Sequence, residues 1–343
     1  MQRRGYTAAL FVISACRFPE LAFHKPDSAD DMMDAAAVVP SCLNVNATCG
    51  AAGDSCCTSL PVPGGSFFRD HDVANAQPLS GGLNYPAAVN SFRLDKYDVT
   101  VGRFRQFVLA GMGTQRHPPE QGAGAHPAFP ASGWDPSWNT SLAADTTELK
   151  MGINCSSDQT WSDLPRTAVD ENRPMNCLTW YEAMAFCIWD GGYLPSEAEW
   201  NYAALGGDEQ RAFPWSSPAS SLMIDSSYVS YSPQDNNCTG DGMPGCGPTD
   251  IVPVGSLPNG NGRWGHADLA GNLYQWMFDW YDTYGGCDNG CPNAVMPGGP
   301  DPLRVMRGGA FVYPPDNLRG AARSNLYPWR RNYISGVRCA RNM

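Results

Sequence analysis

Two short helices, spelled out between residues 179 and 207, constrain this chain more than any other feature of its sequence. Thr179-Trp-Tyr-Glu182 and Ser196-Glu-Ala-Glu199 both fit the capping box. In that motif a hydroxyl, and a carboxylate three residues later, each accept a backbone N–H from the other's end of the first turn. Paired glycines follow each run, Gly191-Gly192 and Gly206-Gly207, and glycine takes the positive φ at which a helix commonly stops. The first helix is expected through Trp189 and the second to Ala204. Around them stand 36 glycines and 29 prolines, which punctuate a chain into short elements. Residues 63–67 read as a turn entering a strand, and residues 92–97 as another strand. Thr100 is placed to cap a helix carrying Val101, Phe104, Phe107 and Val108 on one face. Residues 111–138 are aperiodic and Gly/Pro-rich, hence a long loop. Turns and short strands follow the second capped helix, up to residues 304–307 and a closing strand at 337–339. No repeat at a fixed period is present. Few helices among many short irregular elements predict an α+β, loop-rich fold.

The chain can bury a large core: it has 343 residues, 43% of them apolar and 17% charged, with 11 tryptophans. Its net charge of −11 argues against nucleic acid, because a phosphate backbone is bound through a basic stripe. The densest basic stretch, residues 319–341, lies among apolar residues. Thirteen cysteines indicate an oxidising compartment. Arg3-Arg4, an apolar run at 6–13 and Ile13-Ser14-Ala15-Cys16 resemble a lipoprotein signal cleaved before a lipidated Cys16; the run is too short to span a bilayer. The alternative is a partly buried N-terminal helix with an ordinary cysteine. Removing Cys16 leaves an even number. The expected division is a signal peptide at 1–15, a tether at 16–41, a small disulfide-stapled module at 42–60 and the main domain at 61–343. The module holds Cys42, Cys49, Cys56 and Cys57, whose spacing lacks the knuckle of a zinc site and whose pairing stays open.

Four ordered strings make the reading specific. The first is Pro174, Thr179-Trp180, Glu182-Ala183 and Cys187-Ile188-Trp189. The second is Leu194-Pro195-Ser196-Glu197-Ala198-Glu199-Trp200-Asn201-Tyr202-Ala203-Ala204. The third runs from Asp268 through Gly271-Asn272 to Gln275-Trp276 and Asp279-Trp280-Tyr281. The fourth is Arg304-Val305-Met306-Arg307-Gly308-Gly309-Ala310-Phe311, with Arg319, Arg323, Pro328, Arg331 and Gly336-Val337-Arg338-Cys339. Over roughly residues 61–341 the chain resembles the formylglycine-generating-enzyme, or sulfatase-modifying-factor, family. That resemblance implies a variant of the C-type lectin fold. Most of the quoted residues also have a plain structural reading, with the tryptophans as core pillars and Glu182 and Glu199 as caps.

The family oxidises a substrate cysteine to formylglycine with copper and oxygen, through two cysteines soon after its Gly-Gly-Ser strand. Copper(I) prefers such soft thiolates. Here residues 308–319 contain no cysteine: Ala310 replaces the serine, Tyr313 stands at the first cysteine position, and Pro314-Pro315 follow. No catalytic residue is therefore assigned, and copper is not expected. Cys287-x3-Cys291 could in principle substitute, but its turn sequence reads as a short disulfide. Related sulfoxide synthases use clustered histidines for iron. His24, His71, His117, His126 and His266 show no helical ligand spacing, though His117 and His126 share the long loop. No nucleophile elbow or phosphate loop is present.

The resemblance leaves calcium open, with side-chain oxygens from Asp268 and Gln275 and carbonyls from Gly271 and Leu273. Gln275 replaces the family's usual glutamate and removes a negative charge that calcium favours. Alternatively Asp268 caps a turn and Gln275 packs. The resemblance also implies a Cys187–Cys339 bridge. Cys238–Cys246, Cys287–Cys291 and Cys155–Cys177 are expected besides. The reading is an exported, lipid-anchored member of the cell envelope (outer membrane or periplasm), without the copper cysteines. It would act as a non-catalytic binding or structural module, meeting a protein or glycan partner and touching membrane only through its anchor. The alternatives are an active copper-dependent oxidase making formylglycine, or another enzyme on the same fold.

Overall fold

The computed structural model describes residues 39–43, 48–71, 73–74, 85–165, 167–234, 236–284, 291–292 and 302–343. The expected signal peptide, Cys16 and most of the tether lie outside them. Residues Val38–Met343 form one compact unit. In chain order its strands are β1 Thr48–Cys49, β2 Asp54–Ser55, β3 Ser59–Val62, β4 Gly65–Phe68, β5 Pro86–Val89 and β6 Phe92–Asp95. Helices α1 Val101–Leu109, α2 Thr146–Ile153, α3 Ala168–Glu171, α4 Trp180–Trp189 and α5 Glu197–Ala204 follow. Strands β7 Tyr274–Trp280, β8 Cys291–Pro292, β9 Arg304–Arg307, β10 Arg323–Leu326, β11 Ser335–Gly336 and β12 Ala340–Arg341 close the chain. The largest sheet has the order β10-β9-β7-β11, and two three-stranded sheets have the orders β12-β6-β3 and β4-β5-β8.

The helix signals work as read. Thr179 accepts from Glu182 N at 3.2 Å while the Glu182 carboxylate accepts from Thr179 N at 3.0 Å. Ser196 and Glu199 repeat the exchange at 3.2 and 2.9 Å. Thr100 caps α1 by accepting from Arg103 N. Beneath the helices three buried tryptophans tie them to the large sheet by their indole N–H groups. Trp180 donates to Met277 O at 2.8 Å, Trp200 to Gln275 Oε1 at 2.6 Å, and Trp276 to Leu178 O at 3.1 Å. α2, capped by Asp145, has no counterpart in the sequence reading.

Five disulfides join the ten cysteines whose side chains are described: Cys42–Cys57, Cys49–Cys56, Cys155–Cys177, Cys187–Cys339 and Cys238–Cys246. The Cys287–Cys291 pair lies outside the described side chains. The stapled N-terminal segment packs on the body. Ser41 N donates to Asp190 Oδ1 and Arg103 Nε to Ser41 Oγ, each at 3.0 Å, and the Tyr97 hydroxyl donates to Cys49 O at 3.1 Å.

The arginine-rich end of the chain turns inward. Arg307 pairs with Asp70 and with Glu197 (2.9 Å), and Arg323 reaches Glu197 at 2.7 Å. Arg103 and Arg341 share Asp95 and Asp190. Buried guanidinium groups need such partners to offset their desolvation. Arg304 has a different solution: its guanidinium lies between Trp180 and Trp280, 3.7 and 3.6 Å from their ring centres.

Candidate functional site

Residues 308–318, where the family chemistry would sit, form a closed loop at the end of β9. Gly308 and Gly309 adopt φ of 99° and 73°. A Cβ at Gly309 would stand 2.8 Å from Asn317 O, so a side chain there would push the loop open. Backbone bonds then fix the turn: Phe311 N donates to Asn272 O at 2.9 Å, Tyr313 N to Ala310 O at 2.9 Å, and Ser232 N to Tyr313 O at 3.1 Å. Ala310 is buried. Tyr313 is half-buried, with its ring edge-on to Tyr274 at 5.5 Å.

Two more tyrosines pack around this loop. Tyr274, the first residue of β7, is buried, with the side chains of Ser324 and Asn317 beside its hydroxyl. Burial foremost, and then Tyr313, pushes its phenol pKa up. Tyr333 packs 6.2 Å from the Phe311 ring, and burial, then Asp158, raises its pKa too. Phenols raised above their usual value stay protonated at neutral pH, as hydrogen-bonding groups and aromatic surface and not as soft metal ligands. Sequence reasoning identified Tyr313 but missed Tyr274, Tyr333, Asn317 and Ser324. The available signal was the spacing of aromatic residues through the third and fourth motifs.

The calcium set does not assemble as expected. Gln275 Oε1 accepts from Trp200 Nε1 (2.6 Å) and from Arg338 Nε (3.1 Å), and Gln275 Nε2 donates to Asp268 O at 2.8 Å. Asp268 Oδ2 accepts from Gly255 N at 2.7 Å. Arg338 is the reason. Its buried guanidinium gathers Asp95 O, Lys96 O and Ala267 O at 2.8, 2.6 and 2.6 Å and stands 3.1 Å from Asp98 Oδ1. A fixed cation already occupies the centre of these oxygens, and calcium needs six or more facing it. The side-chain oxygens of Asp268 and Gln275, two of the four groups expected with Gly271 and Leu273, thus accept N–H donors and do not face an open ion site. Asp98 and Asp268 flank the same guanidinium. Burial, against the pull of Arg338 and helped by Asp268, pushes Asp98 up to about 8, and burial raises Asp268 as well.

The loop histidines do not come together. His117 Nδ1 lies 3.2 Å from Gly111 O. His126 lines a 160 Å³ cavity with Tyr193 and Glu199. Its Nδ1 accepts from Ala128 N at 3.1 Å, and its Nε2 stands 3.1 Å from Glu199 Oε1 without an aligned hydrogen bond. Among the described residues no group of three or more His, Cys, Asp or Glu side chains converges as a metal site.

The fold and its tryptophan-pillared helices define a formylglycine-generating-enzyme-like variant of the C-type lectin architecture. Residues 47–343 match the family model described as the sulfatase-modifying factor enzyme 1-like domain. The chain belongs to that family. The formylglycine-generating enzyme of Bos taurus is 26% identical, over 82% of this chain and 74% of the relative. That of Thermomonospora curvata is 28% identical, over 82% and 92%. Hercynine oxygenase of Mycolicibacterium smegmatis is 28% identical, over 85% of this chain and 62% of the relative. Among solved structures, PvdO from Pseudomonas aeruginosa aligns with a TM-score of 0.54 at 19% identity, covering 83% of this chain and 94% of that one. Treponema denticola variable protein 1 aligns at 0.51 and 16%, covering 83% and 95%. These two show shared fold alone.

Proposed function

We propose that this protein is an exported, lipid-anchored binding or structural module, built on the formylglycine-generating-enzyme scaffold and directed at a protein or glycan partner. One observation carries the reading: where the family's oxidase needs a pair of thiolates, half-buried Tyr313 and Tyr333 pack edge-on against buried Tyr274 and Phe311. A protonated phenol holds copper(I) poorly, and a surface rich in tyrosine supplies rigid contact area at low entropic cost. Export agrees with the disulfides, since such bridges persist in oxidising compartments; anchoring rests on the Ser14-Ala15-Cys16 string.

The test is to incubate the purified protein with copper(I), oxygen and a Cys-x-Pro-x-Arg peptide and to look for the aldehyde by mass spectrometry. No aldehyde above a metal-only control is expected; its formation would overturn the reading in favour of an active oxidase. A second reading, a different enzyme on the same scaffold, draws on the hercynine oxygenase relative. Stoichiometric iron or copper in protein purified without added metal would favour it.

A further inference from the structure

A second concave site opens beside β4, away from the residues singled out above. It is a cleft of 320 Å³ lined by Pro63, Gly65, Ser66, Tyr202, Asp208, Arg263 and Trp264, within the size range of small-molecule sites. Tyr202 lies on α5 with its ring buried, 5% exposed as a whole residue, and its hydroxyl opens to the cleft with no hydrogen-bond partner among the described residues. Gly65 makes room for it: a Cβ there would sit 2.4 Å from the Tyr202 oxygen. Trp264, half-buried, stacks on the Tyr202 ring at 5.5 Å and 21°, so the wall beside the hydroxyl is aromatic.

The charges around the cleft cancel. Arg263 pairs with Asp208 at 3.0 Å and Glu209 at 3.2 Å, and Arg211 pairs with Glu209. Two acids and two arginines thus form one closed chain, which favours neither an anionic nor a cationic ligand. Each cleft-facing group keeps some bonding capacity. Arg263 commits Nη1 to Gly206 O and Asp208, and Nε to Glu209, which leaves Nη2. Asp208 Oδ2, Ser66 Oγ and the Tyr202 hydroxyl also lack partners among the described residues. A donor, an acceptor and two groups that serve as both surround an apolar wall of Pro63 and Trp264. Ligand hydroxyls, which donate and accept at once, satisfy such a mixture, and an apolar C–H face suits the wall.

We propose that this cleft binds a neutral polyhydroxylated ring, a single pyranose or the terminal sugar of a glycan. Tyr202, Ser66, Asp208 and Arg263 would bond its hydroxyls, with no metal ion required. The proposal stands whether or not the chain oxidises cysteine, so the aldehyde assay and the sugar assay fail independently.

The experiment uses the full purified chain in EDTA-containing buffer. It is titrated with the methyl glycosides of glucose, galactose, mannose and N-acetylglucosamine, followed by saturation-transfer NMR and calorimetry, with acetate and ethylammonium as charged controls. At least one glycoside should bind saturably and neither control should. Asp208→Ala should weaken that binding about tenfold or more, the loss expected for a hydrogen bond to a charged group. Tyr202→Phe, which deletes only the unpartnered hydroxyl, should weaken it several-fold without lowering the melting temperature. Failure of all four glycosides to bind, a requirement for calcium, or unchanged affinity in both variants would overturn the proposal.

Discussion

Replacing Asp98 by asparagine should make this protein more stable at alkaline pH, by an amount that grows with pH. Asp98 is fully buried and its carboxyl is pushed from 3.8 up to about 8. Arg338 stands 3.1 Å away, but its N–H groups point at backbone carbonyls, and neither Asp98 oxygen receives an aligned hydrogen bond. Asp268 competes for the same guanidinium. At low pH both the folded and unfolded states hold the Asp98 proton, and the residue has no effect on the pH dependence. Between the two pKa values the unfolded chain has released that proton and the folded one has not, so stability falls as pH rises, by about 1.4 kcal/mol per unit. From about pH 5 to about pH 8 the loss amounts to about 4 kcal/mol, after which it levels off. An asparagine side chain has the same shape, still offers Arg338 an oxygen and carries no proton to lose. Urea unfolding of both proteins across this range, read as the difference between them, cancels contributions from other titrating groups. That cancellation matters because His266, held by burial at about 3, acts in the opposite sense: its stability cost is removed as pH rises to the unfolded histidine value. A stability difference that stays constant from about pH 5 to about pH 8 would refute the assignment of a retained proton to Asp98.

Removing the Cys187–Cys339 bridge, which closes a loop of 152 residues, should cost about 5 kcal/mol by the chain-entropy estimate when both cysteines are replaced by alanine; a loss below about 1 kcal/mol in urea titrations contradicts it. Arg304→Lys should cost about 2 kcal/mol, because a lysine cannot stack its charge flat between Trp180 and Trp280; an unchanged urea midpoint would show that the sandwich contributes nothing. Melting curves in EDTA and in millimolar calcium should coincide, since a ligand bound only to the folded state would raise the midpoint. A calcium-dependent shift lost in Asp268→Ala would restore the family's metal at that motif.

The local features of this fold were legible in the sequence because their physics is local. A capping box spans four residues, so Thr179 and Ser196 announce their helices unaided. The absence of cysteine at 308–319 can likewise be read directly. What stayed hidden depends on residues far apart. Asp70 and Arg307 meet across 237 positions, and no periodicity forecasts that the basic stretch at 319–341 turns inward to pair with acids on other elements. The packing of Gln275 against Trp200 and Arg338 stayed hidden for the same reason. The string around Asp268 looks competent alone, and only the arrival of Arg338 from the last turn of chain shows that its oxygens are already claimed. Tyr202 sits inside a string read as pure scaffold. Its open hydroxyl emerges only when Gly65, more than a hundred residues earlier, is laid against it.

The position of β12 has a consequence for how the molecule is made. β6 lies between β3 and β12, and Ala340 and Arg341 pair with Leu94 and Arg93. Arg341 also binds Asp95 and Asp190. That sheet therefore receives its third strand from residues about 250 positions further along the chain than β6. Domains often fold from the N-terminus while synthesis continues, but here Asp95 and Asp190 stay short of one of their two arginines until Arg341 has been made.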